Sequence, residues 1–279
     1  MPEALKFLIL SSVRLMIALL PFQKGKLTFA HYLFIYFFKN FNFSRLVKIN
    51  STFVWVHFSD RMQAMYFMTG LYEPKTILVA RKSLSSGQAA VYLDVGANVG
   101  LMALQIFQAN PQIQAHLFEP DPKVFEALSK NIAANPGNGF KLNNLAVSDQ
   151  SDHRLRFSQS HQSSESGWGR LQNQNNSQGP SIEVNCLRLD DYLIHQSIAK
   201  VDLLKIDVEG AEMQVLNGAL ESLKNKKIKN IICEINEDAL AAFGNSGRDI
   251  KDFLNHLGFL EDSSKTEMNA LFYLPEQNF

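Results

Sequence analysis

The segment from Val91 to Gly100 constrains the fold more than any other part of the chain. Val91 to Leu93 is a short apolar run of the kind that forms a buried parallel strand, and Leu101 to Phe107 continues as an apolar helix. Between them, Gly96 and Gly100 remove side chains where the backbone has to approach a ligand or pack closely. Because a helix N-terminus presents unpaired N–H groups, this strand, turn and helix predict a binding site for a nucleotide-like cofactor.

The glycine turn differs from the dinucleotide fingerprint in spacing and in charge. Dinucleotide enzymes use G-x-G-x-x-G, whereas the spacing here is G-x-x-x-G with Asn98 between the glycines. Asp94 lies two positions before the first glycine, where a carboxylate would repel a pyrophosphate but attract a cation. Glu119 follows a second apolar strand, at a position from which an acid can bind both ribose hydroxyls. These residues favour S-adenosylmethionine (SAM), whose sulfonium and ammonium groups are positive.

A structural explanation of the two acids stays open at this point. Asp94 could cap a helix, and Glu119 could be a solvated strand end.

From residue 91 onward, strand and helix patterns alternate, which is typical of a doubly wound, mostly parallel α/β sheet. Strands are predicted over 91–95, 113–118, 140–147, 201–206 and 228–235. Helices are predicted over 99–109, 121–134, 212–223 and 248–257. A C-terminal antiparallel hairpin, 258–261 with 271–274, would bring the sheet to seven strands. Residues 158–181 are rich in Ser, Gln, Asn and Gly and are predicted to form a long loop.

Charge divides the chain unevenly. Residues 1–50 carry seven lysines and arginines against one acid, so this segment has a net charge of +6 and the rest of the neutral chain −6. An acidic catalytic part is unsuited to binding nucleic acid, because its charge repels the phosphates. We therefore expect a small-molecule or glycan acceptor and no nucleic-acid partner. We predict three parts: a basic, apolar helical extension (1–50), a small mixed lead-in (51–90) and the cofactor domain (91–279). The sequence does not indicate an oligomeric state.

Two apolar stretches lie in the N-terminal extension, Leu5–Leu20 and Leu27–Phe38. Lys6 and Arg14 interrupt the first, and the second is shorter than the roughly 18 to 20 residues that cross a bilayer. We therefore expect no membrane span and a cytoplasmic location. Two alternatives stay open: an interfacial helix that associates with a membrane surface, or a helix packed against the catalytic domain or a partner.

A second group of charged residues follows the predicted strand 201–206. Ligands of open α/β sheets lie beyond the carboxyl ends of the strands, so Asp207 is expected to face the crevice that holds Gly96 and Glu119. The period of two places Lys205 on the same side. Methyl transfer needs a group that takes the acceptor's proton, and Asp207 and Lys205 are the candidates. The alternative is a buried ion pair that only holds the strand end.

Glu234, near the end of the predicted strand 228–235, is expected at the same rim as Asp207. Carboxylate oxygens suit Mg²⁺, but the sequence offers no obvious third ligand, and paired acids are common at such strand ends. We therefore predict no metal, with Asp207 and Glu234 as the weakly supported pair that would hold one.

Taken together, these motifs resemble the FkbM-type family of SAM-dependent methyltransferases over roughly residues 70–275. Five segments carry the resemblance, in the family's order and approximate spacing: D-V-G-A-N-V-G (94–100), F-E-P (118–120), A-V-S-D (146–149), K-I-D-V-E-G-A-E (205–212) and L-N-G-A (216–219). The resemblance implies a class I Rossmann-like fold, SAM as the cofactor, and O-methylation of a hydroxyl on a saccharide or a natural-product-like molecule.

The resemblance also implies roles for individual residues. Residues expected to bind the cofactor are Asp94, Gly96, Ala97, Asn98, Gly100, Glu119 and, beside the adenine, Ser148. Catalytic residues are expected to be Lys205, Asp207 and Glu209. The acceptor is expected to contact Tyr72, Glu73 and Glu212. Apart from the resemblance, Trp168 is expected to contact the acceptor as well, because the ring of Trp168 or of Trp55 would suit the face of a sugar; simple packing is the alternative role of such a ring.

Two other functions compete with O-methylation at this level. One is a NAD-dependent oxidoreductase, and the other is a non-catalytic scaffold of the same fold at a membrane. SAM or NAD binding distinguishes the first, and the scaffold predicts that Asp94→Ala and Asp207→Ala leave function intact. Methylation of DNA bases is not expected, because the predicted strand 201–206 lacks the Asn/Asp-Pro-Pro-aromatic turn that holds a flipped base.

Overall fold

A computed structural model of the chain describes residues 1–20, 25–84, 89–135, 137, 139–159, 169–172, 181–262 and 269–275. The N-terminal elements are α1 (Glu3–Leu19), α2 (Lys26–Leu33), a π-helical segment (Phe34–Phe38), β1 (Ser44–Ile49), β2 (Thr52–His57), α3 (Arg61–Thr69) and α4 (Pro74–Ser83). The elements that follow, up to the centre of the chain, are β3 (Val91–Val95), α5 (Leu101–Ala109), β4 (Gln114–Phe118), α6 (Pro122–Ala133), β5 (Phe140–Asn143), β6 (Ala146–Val147), β7 (His153–Ser158) and β8 (Arg170–Leu171). The C-terminal elements are β9 (Ser181–Leu187), α7 (Leu189–His195), β10 (Leu203–Ile206), α8 (Glu212–Gly218), α9 (Leu220–Lys224), β11 (Asn230–Glu234), α10 (Glu237–Ala242), α11 (Gly247–His256), β12 (Leu260–Glu261) and β13 (Asn269–Tyr273).

A seven-stranded sheet organises the described part of the chain, in the order β12-β13-β11-β10-β3-β4-β5. The strands β11, β10, β3, β4 and β5 are parallel, and β13 runs antiparallel to both β11 and β12. The predicted doubly wound sheet with its C-terminal antiparallel hairpin is therefore confirmed. Because the parallel strands end at one edge, the residues that follow β3, β4, β10 and β11 are brought together there.

Two sequence predictions are wrong around the middle of the chain. The predicted strand 140–147 is split, because β5 joins the main sheet whereas β6 pairs with β9 in a separate four-stranded sheet of order β6-β9-β7-β8. Arg170 and Leu171 lie within the predicted loop 158–181 but form β8, which pairs with β7. The burial of Phe157 and Leu171 explains this pairing. Residues 160–168 and 173–180, including Trp168, lie outside the described residues.

The two faces of the main sheet are covered by different parts of the chain. Successive strand residues point to opposite faces, so Tyr92 and Leu203 belong to one buried cluster, and Leu93 and Leu204 to another. The first cluster includes side chains of α1 to α6, and the second includes side chains of α7 to α11. The N-terminal extension and the lead-in thus share a core with one face of the sheet. The boundaries predicted at residues 50 and 90 rest on sequence composition, and the packing does not mark them.

Helix α1 has one packed and one exposed side. Leu10 and Ile17 are buried, and Phe7 contacts Phe58 and Phe67 through ring pairs. The structure therefore supports the packed-helix alternative for this side. No helix among the described residues combines the length and the apolar character needed to cross a membrane.

Candidate active site

The glycine turn after β3 has the backbone shape that its sequence predicts. Gly96 and Gly100 both have φ of 83°, and Asn98 has φ of 49°. A Cβ at Gly96 would lie 1.8 Å from the carbonyl oxygen of Asp207, and a Cβ at Gly100 would lie 2.6 Å from Leu128 Cδ1. Since the left-handed region favours glycine and neither position has room for a side chain, both glycines are required by the backbone.

Glu119 follows β4 and faces this turn. Its Oε2 accepts the backbone N–H of Asn98 at 3.0 Å, and its Oε1 accepts that of Asp121 at 2.9 Å. Burial raises the pKa of Glu119 to about 8, although these two hydrogen bonds oppose the rise. Each oxygen keeps a further acceptor position, so the carboxylate can also accept hydrogen bonds from the two ribose hydroxyls.

Asp121 helps to hold Glu119 in place at the start of α6. Its Oδ1 accepts the N–H of Lys123 at 2.8 Å, and Pro122 occupies the first turn of the helix, where its missing N–H costs nothing. This cap fixes the loop whose N–H groups bind the Glu119 carboxylate.

Asp94 is completely buried at the end of β3. Neither of its carboxylate oxygens has a hydrogen-bond partner in the described part of the chain, and Lys205 Nζ lies 3.7 Å from Oδ1. Burial raises the pKa of Asp94 to about 6, with Lys205 acting in the opposite direction. The Lys205 ammonium and the Tyr92 hydroxyl, which also acts to lower the pKa of Asp94, offset part of the cost of burying this carboxylate.

Lys205 lies on β10 with 3% of its side chain exposed. Its Nζ donates to Asp207 Oδ2 at 2.8 Å. Burial disfavours the charged ammonium, but the carboxylates of Asp207, Asp94 and Glu73 outweigh this effect and raise the pKa of Lys205. Lys205 is therefore protonated at neutral pH and has no free electron pair for a proton. Of the two predicted bases, only Asp207 has the required chemistry.

Two further acids lie beside Asp207. One oxygen from each of Asp207, Glu209 and Glu234 lies within 4.8 Å of the others. Burial, reinforced by the Asp207 charge, raises the pKa of Glu209 to about 7 and also raises the pKa of Glu234. Glu209 has φ of 55°, and a Cβ at the following Gly210 would lie 2.3 Å from the carbonyl oxygen of Ala239. The turn after β10 is thus held tightly against α10.

The lead-in brings Tyr72 and Glu73 to the same cavity. Glu73 has φ of 39° and directly precedes Pro74, a combination that the backbone rarely adopts. Burial raises the pKa of Glu73, although Lys205 opposes the rise. Asn269 of β13 donates to Glu73 Oε2 at 3.4 Å and to Thr76 Oγ1 at 3.2 Å. The strained position of Glu73 is therefore maintained by contacts from a distant part of the chain.

These residues surround a cavity of about 360 Å³, which lies within the range of small-molecule sites. Predicted site residues that line it are Gly96, Asn98, Glu119, Asp207, Glu209, Glu234, Tyr72 and Glu73. Lining residues that the sequence did not indicate are Leu27, Arg61, Met62, Thr76, Asp121, Phe157, Gly169, Leu171 and Asn269. The alternation of polar and apolar residues in 153–158 is a signal that could have placed Phe157. The contributions of α2, α3 and β13 had no sequence signal, because they depend on tertiary packing.

Several predicted site residues do not line the cavity. Ala97 and Gly100 of the turn, and Asp94 and Lys205 on the strands beside it, are buried and absent from the cavity lining. Ser148 is buried and donates to Asp149, whereas Ala146 and Val147 form the cavity wall beside it. Ser148 therefore does not line the cavity, and the adenine contact of this segment stays a prediction.

Glu212 has a different role from the predicted acceptor contact. Its side chain is buried, and Oε1 accepts the N–H groups of Val208 at 3.2 Å and Gly210 at 3.1 Å. Glu212 therefore shapes the turn that carries Glu209 and does not reach the cavity. This is a correction to the predicted acceptor contact, because the carboxylate is occupied by backbone N–H groups of the turn.

The model of the methyltransferase FkbM domain matches residues 94–261, which is more than half of the chain. The chain belongs to the FkbM methyltransferase family. Its cofactor is therefore SAM, and the NAD-dependent alternative is wrong. The remaining acceptor positions of Glu119, which lines the cavity, fit the two ribose hydroxyls of SAM. When bound, SAM supplies an electrophilic methyl group.

Three curated relatives show the extent of the similarity. The 2-O-methyltransferase NoeI of Sinorhizobium fredii is 30% identical over 173 residues, covering 56% of this chain and 70% of that protein. The 31-O-demethyl-FK506 methyltransferase FkbM of Streptomyces tacrolimicus is 28% identical over 172 residues, covering 53% and 65%. The hexuronic acid methyltransferase AglP of Haloferax volcanii is 26% identical over 150 residues, covering 52% and 55%. The chain thus spans about half to 70% of the length of these relatives.

SAM binding is expected to depend on pH through Glu119. The pKa of about 8 means that the native protein is largely protonated at this carboxyl group below pH 8. If SAM binds the protein with Glu119 ionised, the Kd for SAM falls by about tenfold for each unit that the pH rises between pH 6 and pH 8 and then levels off. Calorimetric titration across this range measures the effect. Glu119→Gln, titrated in parallel, corrects for the ionisation of SAM itself, and identical pH profiles of the two proteins would contradict the prediction.

Proposed function

We propose that the protein transfers the methyl group of SAM to a hydroxyl of a saccharide or a small natural-product-like molecule. The single observation that carries this proposal is the Asp207 carboxylate, which faces the cofactor cavity while Lys205 holds its other oxygen. The acceptor oxygen attacks the methyl carbon, and the C–S bond breaks with its electrons passing to sulfur. The acceptor proton passes to Asp207.

The surrounding residues support a polyhydroxylated acceptor. Glu73 and Tyr72 present polar groups to the cavity beside Asp207, and Asn269 adds an amide. Hydrogen bonds from such groups orient an acceptor hydroxyl for in-line attack. The names of the relatives agree with this chemistry, since two of them denote O-methyl transfer or its demethylated substrate and a third denotes a hexuronic acid.

The proposal is tested by incubating the purified protein with SAM and a panel of hexoses, hexuronic acids and a hydroxylated macrolide. We expect one product whose mass increases by one CH₂ group, formed together with S-adenosylhomocysteine. Fragmentation then locates the methyl group on oxygen. Methylation of an amine or a carbon instead would overturn the O-transfer, and reactions without acceptor correct for slow hydrolysis of SAM.

We further propose that the N-terminal segment contacts an anionic membrane surface. Twelve of the seventeen large apolar side chains that are exposed in the described residues lie before residue 47. On α1, exposed Leu5, Leu8, Leu15 and Leu19 follow helical spacing and form a stripe opposite the packed side. The same segment carries the net charge of +6. Apolar stripes beside basic residues are typical of helices that lie in the membrane interface.

Vesicle sedimentation tests this contact with the full chain. We expect binding to vesicles that contain phosphatidylglycerol, weaker binding to phosphatidylcholine alone, and at least about tenfold weaker binding of Leu15→Ser, because a buried leucine contributes roughly 2 kcal/mol. Leu78→Ser is the matched control, since Leu78 is similarly exposed (57% against 63%) but lies on α4. Equal binding of the two variants, or no binding to either vesicle, would show that the stripe faces a protein partner or solvent.

A further inference from the structure

Three acids lie together at the ends of β10 and β11, whereas the proposed proton transfer requires only one. Asp207 and Glu209 are partly exposed to the cavity, whereas Glu234 is only 6% exposed, and an oxygen of each lies within 4.8 Å of the other two. Three negative charges at this separation repel one another strongly in a partly buried site. A methyl transfer that used Asp207 alone would need neither of the two glutamates.

Glu234 gives a second, separate indication of a missing ligand. Its Oε2 is buried and has no hydrogen-bond partner in the part of the chain that the structure describes. Within the same residues, the ion pair that reaches the group is that of Lys205 with Asp207 Oδ2 at 2.8 Å. A nine-tenths buried carboxylate that has one oxygen without a donor and belongs to a cluster of three acids has the composition of a cation ligand.

We propose that Asp207, Glu209 and Glu234 bind one divalent cation of the Mg²⁺ or Mn²⁺ type. Each residue would supply one carboxylate oxygen, and the remaining positions would be open to water and the acceptor hydroxyl. Such ions bind oxygen at about 2.1 Å, which places ligands about 3 to 4 Å apart, so the group needs only a small inward movement. The sequence lacked a third ligand for this site, and the left-handed turn at Glu209 supplies it.

The cation would change the role of Asp207 in the proposed O-methyl transfer. A hydroxyl that coordinates a divalent cation loses its proton more readily, and the proton can pass to water. Asp207 would then act as a ligand and not as the base. This catalytic consequence rests on the proposed function, whereas cation binding itself does not.

Binding of Mn²⁺ alone tests the site in the absence of SAM and acceptor. We expect the electron paramagnetic resonance signal of free Mn²⁺ to decrease on addition of the full-length protein, with one ion bound per chain and displacement by Mg²⁺. Glu234→Gln should weaken Mn²⁺ binding at least tenfold, because it removes the negative charge of one ligand while it keeps the size and shape of the side chain. Glu183→Gln, which alters an exposed acid on β9, is the control and should bind Mn²⁺ like the native protein. Thermal unfolding shows whether each variant is folded.

Two results separate this proposal from the proposed function. No Mn²⁺ binding by the native protein at millimolar concentration, or equal losses in Glu234→Gln and Glu183→Gln, would overturn the cation site. Methyl transfer that continues in EDTA would then leave Asp207 as the base. One bound Mn²⁺ without methylation of any hydroxyl would retain the cation site and contradict the acceptor proposal.

Discussion

Asp207→Asn is expected to lower kcat for methyl transfer by roughly 10²- to 10⁴-fold, the usual contribution of a general base. Asparagine keeps an oxygen that can accept the hydrogen bond from Lys205 Nζ, now 2.8 Å from Asp207 Oδ2. It cannot take the acceptor's proton, and it would bind a cation poorly. Because Asp207 lies beside the cofactor turn and not beneath it, the Kd for SAM should change little. Transfer of a radiolabelled methyl group and calorimetric SAM binding measure the two effects.

Asp202→Asn provides the control for this prediction. Asp202 lies just before β10, at the opposite end from Asp207, and its Oδ2 accepts the N–H of Val91. The substitution is chemically identical but far from the cavity, so kcat should stay within a factor of about two of the native value. If Asp207→Asn retained a similar kcat, neither a base nor a cation ligand would be needed at residue 207.

Lys205→Met is expected to lower the free energy of unfolding by roughly 3 to 5 kcal/mol, the loss found when one partner of a buried ion pair is removed. The methionine fills similar space, but Asp94 is then left completely buried without a cation. Urea unfolding measures the loss. The loss of unfolding free energy should be smaller at pH 5 than at pH 8. Burial already raises the pKa of Asp94 to about 6, and a protonated carboxyl group needs no counter-charge.

A surface lysine supplies the comparison for Lys205. Lys224 is half exposed and pairs with Glu221 at 3.2 Å, so Lys224→Met should cost less than about 1 kcal/mol. Asp94→Asn in the Lys205→Met background should restore part of the lost stability, since it removes the unpaired charge. Equal losses for the two lysine variants, or no recovery in the double variant, would mean that Lys205 contributes through packing alone.

The sequence predicted the main sheet well because its central strands are buried on both faces. The centres of the runs 91–95 and 228–235 are apolar, at Tyr92–Leu93 and Ile231–Cys233, and the residues that follow them mark the edge where ligands bind. Asp207 and Glu234 could therefore be assigned to one rim without a structure. Local patterns also sufficed for Gly96, whose positive φ is a property of the turn itself.

The rest of the site depends on contacts between distant parts of the chain. Glu73 and Asn269 are separated by 196 residues in the sequence, yet they share a hydrogen bond at the cavity. The position of the Glu209 carboxylate depends on a left-handed backbone that no propensity indicates. The strand predicted over 140–147 was wrong for a related reason, since Ala146 and Val147 are apolar in either sheet and only tertiary pairing decides between them.

Two asparagine side chains accept hydrogen bonds from the outer edge of β2, where a further strand would be expected to pair. Asn135 accepts the N–H of Phe53, and Asn131 accepts the N–H of Trp55 while donating to the carbonyl of Val99. Asn131 lies in the last turn of α6, and Asn135 lies two residues beyond its end. β2 pairs with β1 in an antiparallel hairpin, and during synthesis on the ribosome this hairpin therefore cannot complete its hydrogen bonds until residue 135 has left the exit tunnel. We expect the first 90 residues to dock late, together with α6, although they are made first.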